Sequence, residues 1–473
     1  MCIRDRLYTS QQVRDAEAPL LAAGQGKELM LKAATGLAHV VVRELQSRYG
    51  RVYGTRAVAL VGSGNNGGDA LYALAFLARR GVSCQAVTVA GSAHEEGLAA
   101  AVAAGVCVTT EWDSVRDADV VIDGILGTGA SGALREPLAS QLSDWQNNAC
   151  DQLCIAVDAP TGVNASTGEV DPHAVRATHT VTFGMLKAGL FVHPGAGFCG
   201  HVECVDIGLT STDAPAGYLH TTASVPGPGE QDHKYSRGVL GVAAGSQQYP
   251  GAAVLTSLSA QNTGVGMVRY VGDVARLVMQ SVPEVVTRWG RVQAWVVGPG
   301  APEDELVDEV LDQAYEKCLP AVIDAGALAR VSRARDNWVL TPHAGEAQSL
   351  CESRGWIVTR EEIESAPAHW ARRLASELGC CVLIKGARTV ISEPDGTLHV
   401  TPVGPARLAT AGSGDVLAGI MGALMATEQP AGSRSAAVVA ANAVLLHHEA
   451  AGNRALETAQ SILEVARSHR EDS

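Results

Sequence analysis

Residues 411–419 read Ala-Gly-Ser-Gly-Asp-Val-Leu-Ala-Gly and combine a glycine-rich turn, an acid and the apolar start of a helix. If the helix begins near Asp415, the amides of Gly412, Ser413 and Gly414 lack helical partners and form, with the helix dipole, a pocket for an anion. Asp415 would then take a proton from a hydroxyl group while the amides stabilise a phosphoryl group in transfer. The alternative is a glycine turn in which Asp415 only caps a helix. The segment alone does not decide between the two.

Four further polar or glycine-rich segments follow predicted strands in the N-terminal half of the chain. They cover residues 65–69, 123–129, 158–162 and 183–189. Because ligands bind at the carboxyl ends of the strands in an open parallel sheet, we expect these segments to converge on one site. Gly62, Gly64 and Gly67 also have the spacing of a dinucleotide-binding fingerprint, but that spacing alone is a weak signal.

Alternating strands and helices must position these segments. After two helices within residues 10–49, apolar runs predict strands at 57–61, 85–89, 120–123 and 153–158. Amphipathic stretches between the strands predict helices at 70–80, 94–104 and 134–145. This order is typical of an α/β fold in which a Rossmann-like parallel sheet is joined by crossover helices.

Size and composition suit two globular α/β domains. A chain of 473 residues that is 47% apolar is too long for one ordinary domain, and residues 210–232 have the proline and glycine content of a linker. The net charge of −14 argues against nucleic acid or an anionic membrane as the partner. No apolar window is long enough to cross a membrane, and eleven cysteines without a Cys-x-x-Cys pair fit a reducing cytoplasm.

Together, the four N-terminal segments resemble the successive motifs of the YjeF N-terminal domain, the NAD(P)HX epimerase family, over residues 7–209. The resemblance implies contacts with the hydrated nicotinamide nucleotide from Asn65, Asn66, Gly67, Gly68, Asp69, Gly127, Thr128, Gly129, Ala130, Ser131, Gly132, Ala133 and Asp158. It also implies that Asn66, Asp123 and Thr161 bind potassium, for which amide, carboxylate and hydroxyl oxygens are suitable ligands.

Asp158 is the predicted acid or base for epimerisation at the hydrated ring carbon, and Lys187 is the second candidate. Taken singly, each would be a turn residue or a solvated charge. Two positions depart from the family pattern, namely Thr161 in place of serine and Ala34 in place of glycine. Thr161 keeps the hydroxyl group, whereas the methyl group of Ala34 lies where close packing is expected.

Beyond the linker, five motifs resemble ribokinase-like proteins and, more narrowly, the YjeF C-terminal domain, the ADP- or ATP-dependent NAD(P)HX dehydratases. The motifs lie at residues 245–253, 298–300, 341–346, 385–389 and 412–415, within a ribokinase-like α/β domain that we place at 233–473. Any one motif alone is a weak signal, but five in this order are specific. Departures at Gly326, Ala344 and the residues after Gly300 leave the acid and the anion pocket intact.

This second resemblance assigns the remaining site residues. It implies that Ala252, Gly300, His343 and Asp415 contact the hydrate, and that Lys385, Gly386, Ala387, Arg388, Thr389 and Gly414 contact ADP or ATP with magnesium. Asp415 would be catalytic, in phosphorylation of the ring hydroxyl followed by elimination of phosphate. The adjacent His447 and His448 face different sides of a helix, so we expect packing or capping roles for them.

The combined interpretation is a bifunctional repair enzyme that epimerises (R)- and (S)-NAD(P)HX and dehydrates the S form, with NADHX, NADPHX and an adenine nucleotide as partners. Two alternatives stay open. One is a ribokinase-like kinase of a small molecule such as a vitamin precursor, and the other is a non-catalytic nucleotide-binding scaffold, suggested by Ala34 and Gly326. Small-residue helices at 251–260 and 414–425 lead us to expect a homo-oligomer, although a tight core would use them equally.

Overall fold

The computed structural model describes residues 6–89, 91–128, 133–148, 152–301, 305–428 and 434–470. The chain divides into two compact units, Met1–Gly217 and Tyr218–Ser473. The division falls inside the segment 210–232, where a short strand, Gly217–Leu219, also forms. None of the helices in these described ranges combines the length and apolar composition needed to cross a bilayer.

The first unit is built on a parallel sheet. Its elements are β1 (Arg6–Tyr8), α1 (Ser10–Ala22), α2 (Gly26–Tyr49), β2 (Arg56–Val61), α3 (Asn65–Ala78), β3 (Ser83–Thr88), α4 (Glu95–Ala103), β4 (Cys107–Thr109), α5 (Asp113–Arg116), β5 (Val120–Gly124), α6 (Leu138–Asn148), β6 (Leu153–Val157), β7 (His179–Phe183), β8 (Leu186–Lys187) and β9 (His201–Val205). Seven strands pair in parallel in the order β4-β3-β2-β5-β6-β7-β9, which confirms the predicted parallel α/β fold.

Helices cover both faces of this sheet because successive side chains of a strand point in opposite directions. In β2, Ala59 and Val61 pack with α2 and α3 in one cluster, while Val58 and Leu60 pack with Leu142 of α6 in another. Burial on both faces explains why the strands have continuous apolar runs rather than alternating patterns.

The start of α3 corrects one sequence prediction. We expect residues 65–69 to form a loop ahead of a helix at 70, but the helix begins at Asn65, with Gly64 as its N-cap. Gly67 permits this early start because a Cβ atom there would lie 2.1 Å from the Gly62 carbonyl oxygen. The polar motif therefore occupies the first turns of a helix, where its side chains have fixed positions.

The second unit contains a mixed sheet. Its elements are β10 (Gly217–Leu219), β11 (Val239–Ala243), α7 (Pro250–Thr263), β12 (Met267–Tyr270), α8 (Ala275–Ser281), β13 (Ala294–Val297), α9 (Glu305–Glu316), β14 (Ala321–Ile323), β15 (Trp338–Leu340), α10 (Ala344–Glu352), α11 (Arg360–Ser365), α12 (Pro367–Leu378), β16 (Cys381–Ile384), β17 (Val390–Ser392), β18 (Leu398–Val400), α13 (Ser413–Glu428), α14 (Ala436–Glu449) and α15 (Ala455–Ser468). Strands β12-β11-β13-β14-β15-β16 pair in parallel, and β17 and β18 continue the sheet antiparallel.

Small residues let α7 and α13 approach each other closely in the core of this unit. A Cβ atom at Gly419 would lie 2.1 Å from Ser259 Oγ and 2.3 Å from the Thr256 carbonyl oxygen. One turn further along α13, a Cβ atom at Gly422 would meet Val296 of β13 at 2.2 Å. The small residues of these helices therefore have a packing role within the unit, and the homo-oligomer stays a prediction.

Candidate active sites

Asp158 follows β6 at the carboxyl edge of the first sheet, in a strained backbone conformation. Its φ of 65° lies in the left-handed region, which costs a non-glycine residue energy and is most frequent at functional sites. The amide of Asp158 donates to Val181 O, while Oδ1 accepts from Thr182 Oγ1 at 3.0 Å and from Phe183 N at 3.2 Å. These bonds fix a carboxyl group that is 7% exposed.

Lys187, the second candidate for acid or base, is the ion-pair partner of Asp158. Its side chain is 1% exposed, and Nζ lies 2.6 Å from Asp158 Oδ1. Nζ also donates to Thr182 Oγ1 and Phe183 O, both at 2.9 Å, so all three ammonium protons have acceptors. Lys187 therefore orients the side chain of Asp158 as its ion-pair partner.

Two more carboxyl groups, those of Asp69 and Glu17, interact electrostatically with Asp158. Asp69 of α3 is buried, and its Oδ1 has no hydrogen-bond partner in the part of the chain described here. Burial raises the pKa of Asp69 well above its ordinary value, and the charges of Asp158 and Glu17 raise it further. Glu17 of α1 is not among the predicted site residues, because on the sequence it looks like any surface charge of a helix.

Asn66, Asp123 and Thr161 come together between β5 and β6. Asp123 accepts from Thr161 N and Thr161 Oγ1, both at 2.7 Å, and Thr161 Oγ1 accepts from Leu126 N at 3.2 Å. Asn66 Nδ2 donates to Leu126 O at 3.2 Å and Val157 O at 2.7 Å. Asp123 is fully buried, and this desolvation raises its pKa to about 6 although its hydrogen bonds lower it.

The other predicted contact residues of the first unit have different surroundings. Gly67 and Gly68 serve close packing at the start of α3, and Asn65 is exposed. Gly127 lies against the Asn66 amide, and Thr128 O accepts from Arg14 Nη1 at 3.2 Å. Gly129, Ala130, Ser131 and Gly132 lie outside the described residues. Ala133 and Gly127 line a cavity of about 260 Å³ that also borders Pro160 and Asp171 but reaches neither Asp158 nor Asp69.

In the second unit, Lys385 lies among three acids at the carboxyl edge of the sheet. Its Nζ is 2.7 Å from Asp324 Oδ1, which also accepts from Thr341 Oγ1, and 3.6 Å from Glu346 Oε2. Burial acts to lower the pKa of Lys385, but the charges of Asp324, Glu346 and Asp415 outweigh it and the pKa is raised. Lys385 is therefore a fixed positive charge.

Asp415 is half-buried at the start of α13. Its pKa is raised to about 6, first by burial and then by the charge of Asp324, while Lys385 opposes the shift. A carboxyl group poised near neutral pH is suited to general base catalysis.

The glycine-rich turn before Asp415 forms the start of a helix, with one correction. The helix begins at Ser413, two residues before Asp415, and the amide of Ser413 donates to Thr410 O. The first-turn amides of Gly414 and Asp415 are thus the ones without helical acceptors. A Cβ atom at Gly414 would lie 3.6 Å from Lys385 Nζ, so the ammonium group lies over the same helix end.

The remaining residues singled out in the second unit lie in loops and helices. His343 caps α10 by accepting from Glu346 N, and its ring is 60% exposed. Gly300, at φ 58°, packs on Ala252, and of the residues after Lys385 only Thr389 is buried, while Arg388 is half-buried and Gly386 and Ala387 are exposed. His447 contacts Ser413 Oγ at 3.2 Å, and burial, followed by the charge of His448, lowers its pKa to about 3, in keeping with a packing role.

Comparisons with known proteins agree with this arrangement. A family model described as NAD(P)H-hydrate dehydratase matches residues 240–468, and a model of the YjeF-related protein N-terminus matches residues 26–189. The chain is 42% identical to the bifunctional NAD(P)H-hydrate repair enzyme Nnr of Mycobacterium tuberculosis H37Rv over 446 residues, which cover 91% of each chain. It is likewise 42% identical to Nnr of Mycobacterium leprae over 440 residues, 90% of each chain.

This chain belongs to the family of bifunctional NAD(P)H-hydrate repair enzymes. The family predicted from the motifs is thereby confirmed for both halves. Among solved structures, an ADP/ATP-dependent NAD(P)H-hydrate dehydratase from Bacillus subtilis, co-crystallised with ATP and Mg²⁺, is 28% identical. It matches with a TM-score of 0.46 over 52% of this chain and 95% of that chain.

Two charged residues of the candidate site in the second unit, Asp324 and Glu346, were not predicted from the sequence. Asp324 directly follows the apolar strand β14, as Asp123 and Asp158 occupy the ends of strands in the first unit. The same rule of acids at strand ends would have found it. Glu346 gave no such signal, because its carboxyl group binds the His343 amide in a capping box and looks structural on the sequence.

Replacement of Gly300 by alanine tests the predicted contact with the hydrate. The alanine would have to adopt the left-handed φ of 58°, and its Cβ atom would lie 2.6 Å from Ala252 Cβ. We expect the free energy of unfolding of the second unit to fall by about 2–4 kcal/mol, and the dehydratase KM for the hydrate to rise. Thermal unfolding and initial-rate kinetics measure the two effects.

Gly355→Ala is the matched control. Gly355 has a similar φ of 75°, but a Cβ atom there meets nothing within 4 Å. We expect a cost of about 1 kcal/mol and an unchanged KM. Equal behaviour of the two variants would contradict a close approach of substrate at Gly300.

Proposed function

We propose that this chain repairs hydrated nicotinamide nucleotides in two steps. The first unit interconverts (R)- and (S)-NADHX and the corresponding forms of NADPHX, and the second unit dehydrates the S form to NADH or NADPH with ADP or ATP. The observation that carries the proposal is the match to bifunctional repair enzymes over 91% of the chain. The two buried ion pairs, Asp158 with Lys187 and Asp324 with Lys385, give each unit an independent charged site.

For epimerisation, Asp158 is the proposed general base. Its contacts with Lys187, Thr182 and Phe183 all fall on Oδ1. In the described part of the chain, Oδ2 is thus the oxygen left for a bound molecule. Lys187 acts through Asp158, because its ammonium group has no proton left for a substrate acceptor.

Potassium fits the group formed by Asn66, Asp123 and Thr161. Their oxygens are hard ligands of the type that alkali cations accept, and the described residues contain no cluster of three or more His, Cys, Asp or Glu side chains for a transition metal. Asp123 is fully buried, and its partners Thr161 and Ile125 are neutral donors. A bound cation would offset the cost of burying that carboxylate.

For dehydration, Asp415 is the proposed base that takes the proton of the ring hydroxyl. The hydroxyl oxygen then attacks the terminal phosphorus of the nucleotide, whose bond to the bridging oxygen breaks. Lys385 and the first amides of α13 hold the phosphate oxygens. Hydroxide is a poor leaving group and phosphate a good one, so elimination of phosphate with a neighbouring ring proton forms the double bond of NAD(P)H.

Magnesium bound with the nucleotide would neutralise part of the phosphate charge. The carboxyl groups of Asp324 and Glu346 lie beside Lys385 and supply oxygen ligands of the kind that magnesium accepts. The choice between ADP and ATP, a homo-oligomeric state and a cytoplasmic location stay predictions of this proposal.

The pH dependence of dehydration follows from Asp415. The base must be ionised, and its pKa is about 6 because burial and Asp324 raise it. We therefore expect kcat/KM for (S)-NADHX to rise about tenfold per pH unit below about pH 6 and to level off above it. Rates between about pH 5 and pH 8, corrected for enzyme-free decay, measure this, and a profile that is flat across the range would contradict the assignment of Asp415.

Chromatography of separated hydrates tests the proposed function. Incubation of pure (R)-NADHX with the enzyme alone should yield both epimers, and addition of ADP or ATP with magnesium should convert both to NADH. Release of a stable phosphorylated hydrate would instead indicate a kinase. Nucleotide binding without any turnover would indicate a scaffold.

A further inference from the structure

Three carboxyl groups and one ammonium group meet at the carboxyl edge of the first sheet. Asp69 lies three residues after Asn66, so both side chains project from the same face of α3. Asn66 Nδ2 donates to the carbonyl oxygen of Val157, the residue directly before Asp158. The helix thus places Asp69 beside Asp158, and Glu17 of α1 interacts electrostatically with both.

The three carboxyl groups of this cluster differ in the positive charges that act on them. The ammonium group of Lys187 donates three hydrogen bonds, one each to Asp158 Oδ1, Thr182 Oγ1 and the Phe183 carbonyl oxygen. Glu17, which is half-buried, interacts with Lys187 and with Arg14, and both lower its pKa against the larger effect of burial. Within the described ranges, the charges that act on Asp69 are those of Asp158 and Glu17, both negative.

Asp69 also differs from Asp123, another buried acid of the same unit. Asp123 is fully buried, but Thr161 and Ile125 satisfy its two oxygens with three hydrogen bonds. Asp69 Oδ1 is buried without any partner in the described part of the chain. An orphaned buried oxygen next to two carboxylates is stable only as a neutral acid, and a neutral acid is a proton donor.

We propose that Asp69 is the proton donor of the epimerisation and acts as a neutral carboxylic acid opposite the base Asp158. This inference rests on the proposed epimerase function of the first unit. The pairing gives two acids separate tasks, because Asp158 has the ammonium group of Lys187 as its partner, whereas burial, followed by the neighbouring negative charges, favours the protonated form of Asp69.

The proposed step balances in protons and electrons. Asp69 transfers its proton to the ring hydroxyl, the C–O bond breaks, and its electron pair leaves with the oxygen as water. The neighbouring ring nitrogen shares its lone pair with the carbon, which forms a cationic C=N bond. Water then adds to the opposite face, the C=N pair returns to nitrogen, and Asp158 takes the proton of that water. The proton returns from Asp158 to Asp69 before the next turnover, and the same steps in reverse convert the other epimer.

Asp69→Asn is the test variant, because the amide matches the neutral acid in shape but has no proton to transfer. We expect kcat for conversion of (R)- to (S)-NADHX to fall at least about 100-fold, with KM within about threefold. In the wild-type protein, kcat should fall as the pH rises through the raised pKa of Asp69, and the residual activity of the variant should lack this fall. Thermal unfolding and the dehydratase rate should be unchanged.

An infrared difference spectrum measures the protonation state without any turnover. The wild-type spectrum minus that of Asp69→Asn at neutral pH should show the C=O stretch of a protonated carboxyl group. Absence of this band, or a variant whose kcat stays within about threefold of wild type, would overturn the inference alone. A wild-type protein that does not epimerise would instead overturn the proposed function, and the inference with it.

Discussion

Asp415→Asn is expected to abolish dehydration while epimerisation continues. The amide cannot accept the hydroxyl proton, so the loss in kcat should be at least about 100-fold. The two sites lie in separate units, and Asp158 with its partners does not involve Asp415. Measured with (R)-NADHX, magnesium and ADP or ATP, the variant should accumulate a mixture of both hydrates and form almost no NADH.

Stability separates this catalytic loss from misfolding. The folded pKa of Asp415 is raised to about 6 from an ordinary 3.8, so the folded state binds this proton more tightly than the unfolded chain. The stabilising effect of that proton is complete below about pH 4 and is lost as the pH rises through about 6. At about pH 8 Asp415 is ionised, and its carboxylate is less favourable in the folded state than in the unfolded chain. Asp415→Asn should therefore be at least as stable as wild type at this pH.

Asp308→Asn is the matched control for Asp415→Asn. Asp308 belongs to the same unit and forms an exposed ion pair with Arg330, and exposed pairs contribute little to stability. Both activities should survive in this variant. Loss of epimerisation in Asp415→Asn would contradict separate sites, and loss of dehydration in Asp308→Asn would show that the effect is not specific to Asp415.

Asp158→Asn is expected to abolish epimerisation and leave dehydration of (S)-NADHX intact. Asparagine tolerates the left-handed φ of 65°, so the backbone should keep its conformation. The side chain loses its negative charge, however, and a general base of this kind contributes about 100-fold or more to the rate. With pure (R)-NADHX, neither (S)-NADHX nor NADH should form faster than without enzyme.

A double variant tests whether Asp158→Asn abolishes epimerisation only by destabilising the fold. Asp158→Asn leaves the buried ammonium group of Lys187 without its anionic partner, which costs about 3–5 kcal/mol in stability. Asp158→Asn with Lys187→Met removes both charges and should recover much of that stability. Epimerisation should stay absent in the double variant, and its return would show that Asp158 only supports the fold.

Acids that follow strands could be predicted from the sequence more readily than the side chains that form ion pairs with them. Asp123 and Asp158 stand out because each comes at the end of an apolar run in a parallel sheet. The pairing of Asp158 with Lys187 depends on the left-handed turn after β6, and that conformation is not encoded by a glycine. Sequence patterns therefore indicated Asp158 and Lys187 as separate candidates, but not that the two form an ion pair.

Contacts over long sequence separations account for the other differences. Glu17 reaches the first site from α1, and Asp324 reaches Lys385 across 61 residues. Neither approach leaves a local pattern, because it is set by the order of strands in the sheet. The helix start at Asn65 was missed for a local reason, since two glycines and two asparagines indicate a loop by propensity, although Gly64 caps the helix and Gly67 packs on Gly62.

Recovery of reduced-nicotinamide absorbance from a mixture of (R)- and (S)-NADHX tests the two-site account most directly. The mixture is incubated with wild-type enzyme, potassium and magnesium, with ADP and ATP supplied separately. The wild-type enzyme should recover the whole signal faster than spontaneous epimerisation allows. Asp158→Asn should recover only the S fraction, and Asp415→Asn should recover none. Failure of the wild-type enzyme to recover any signal with either nucleotide would contradict the account.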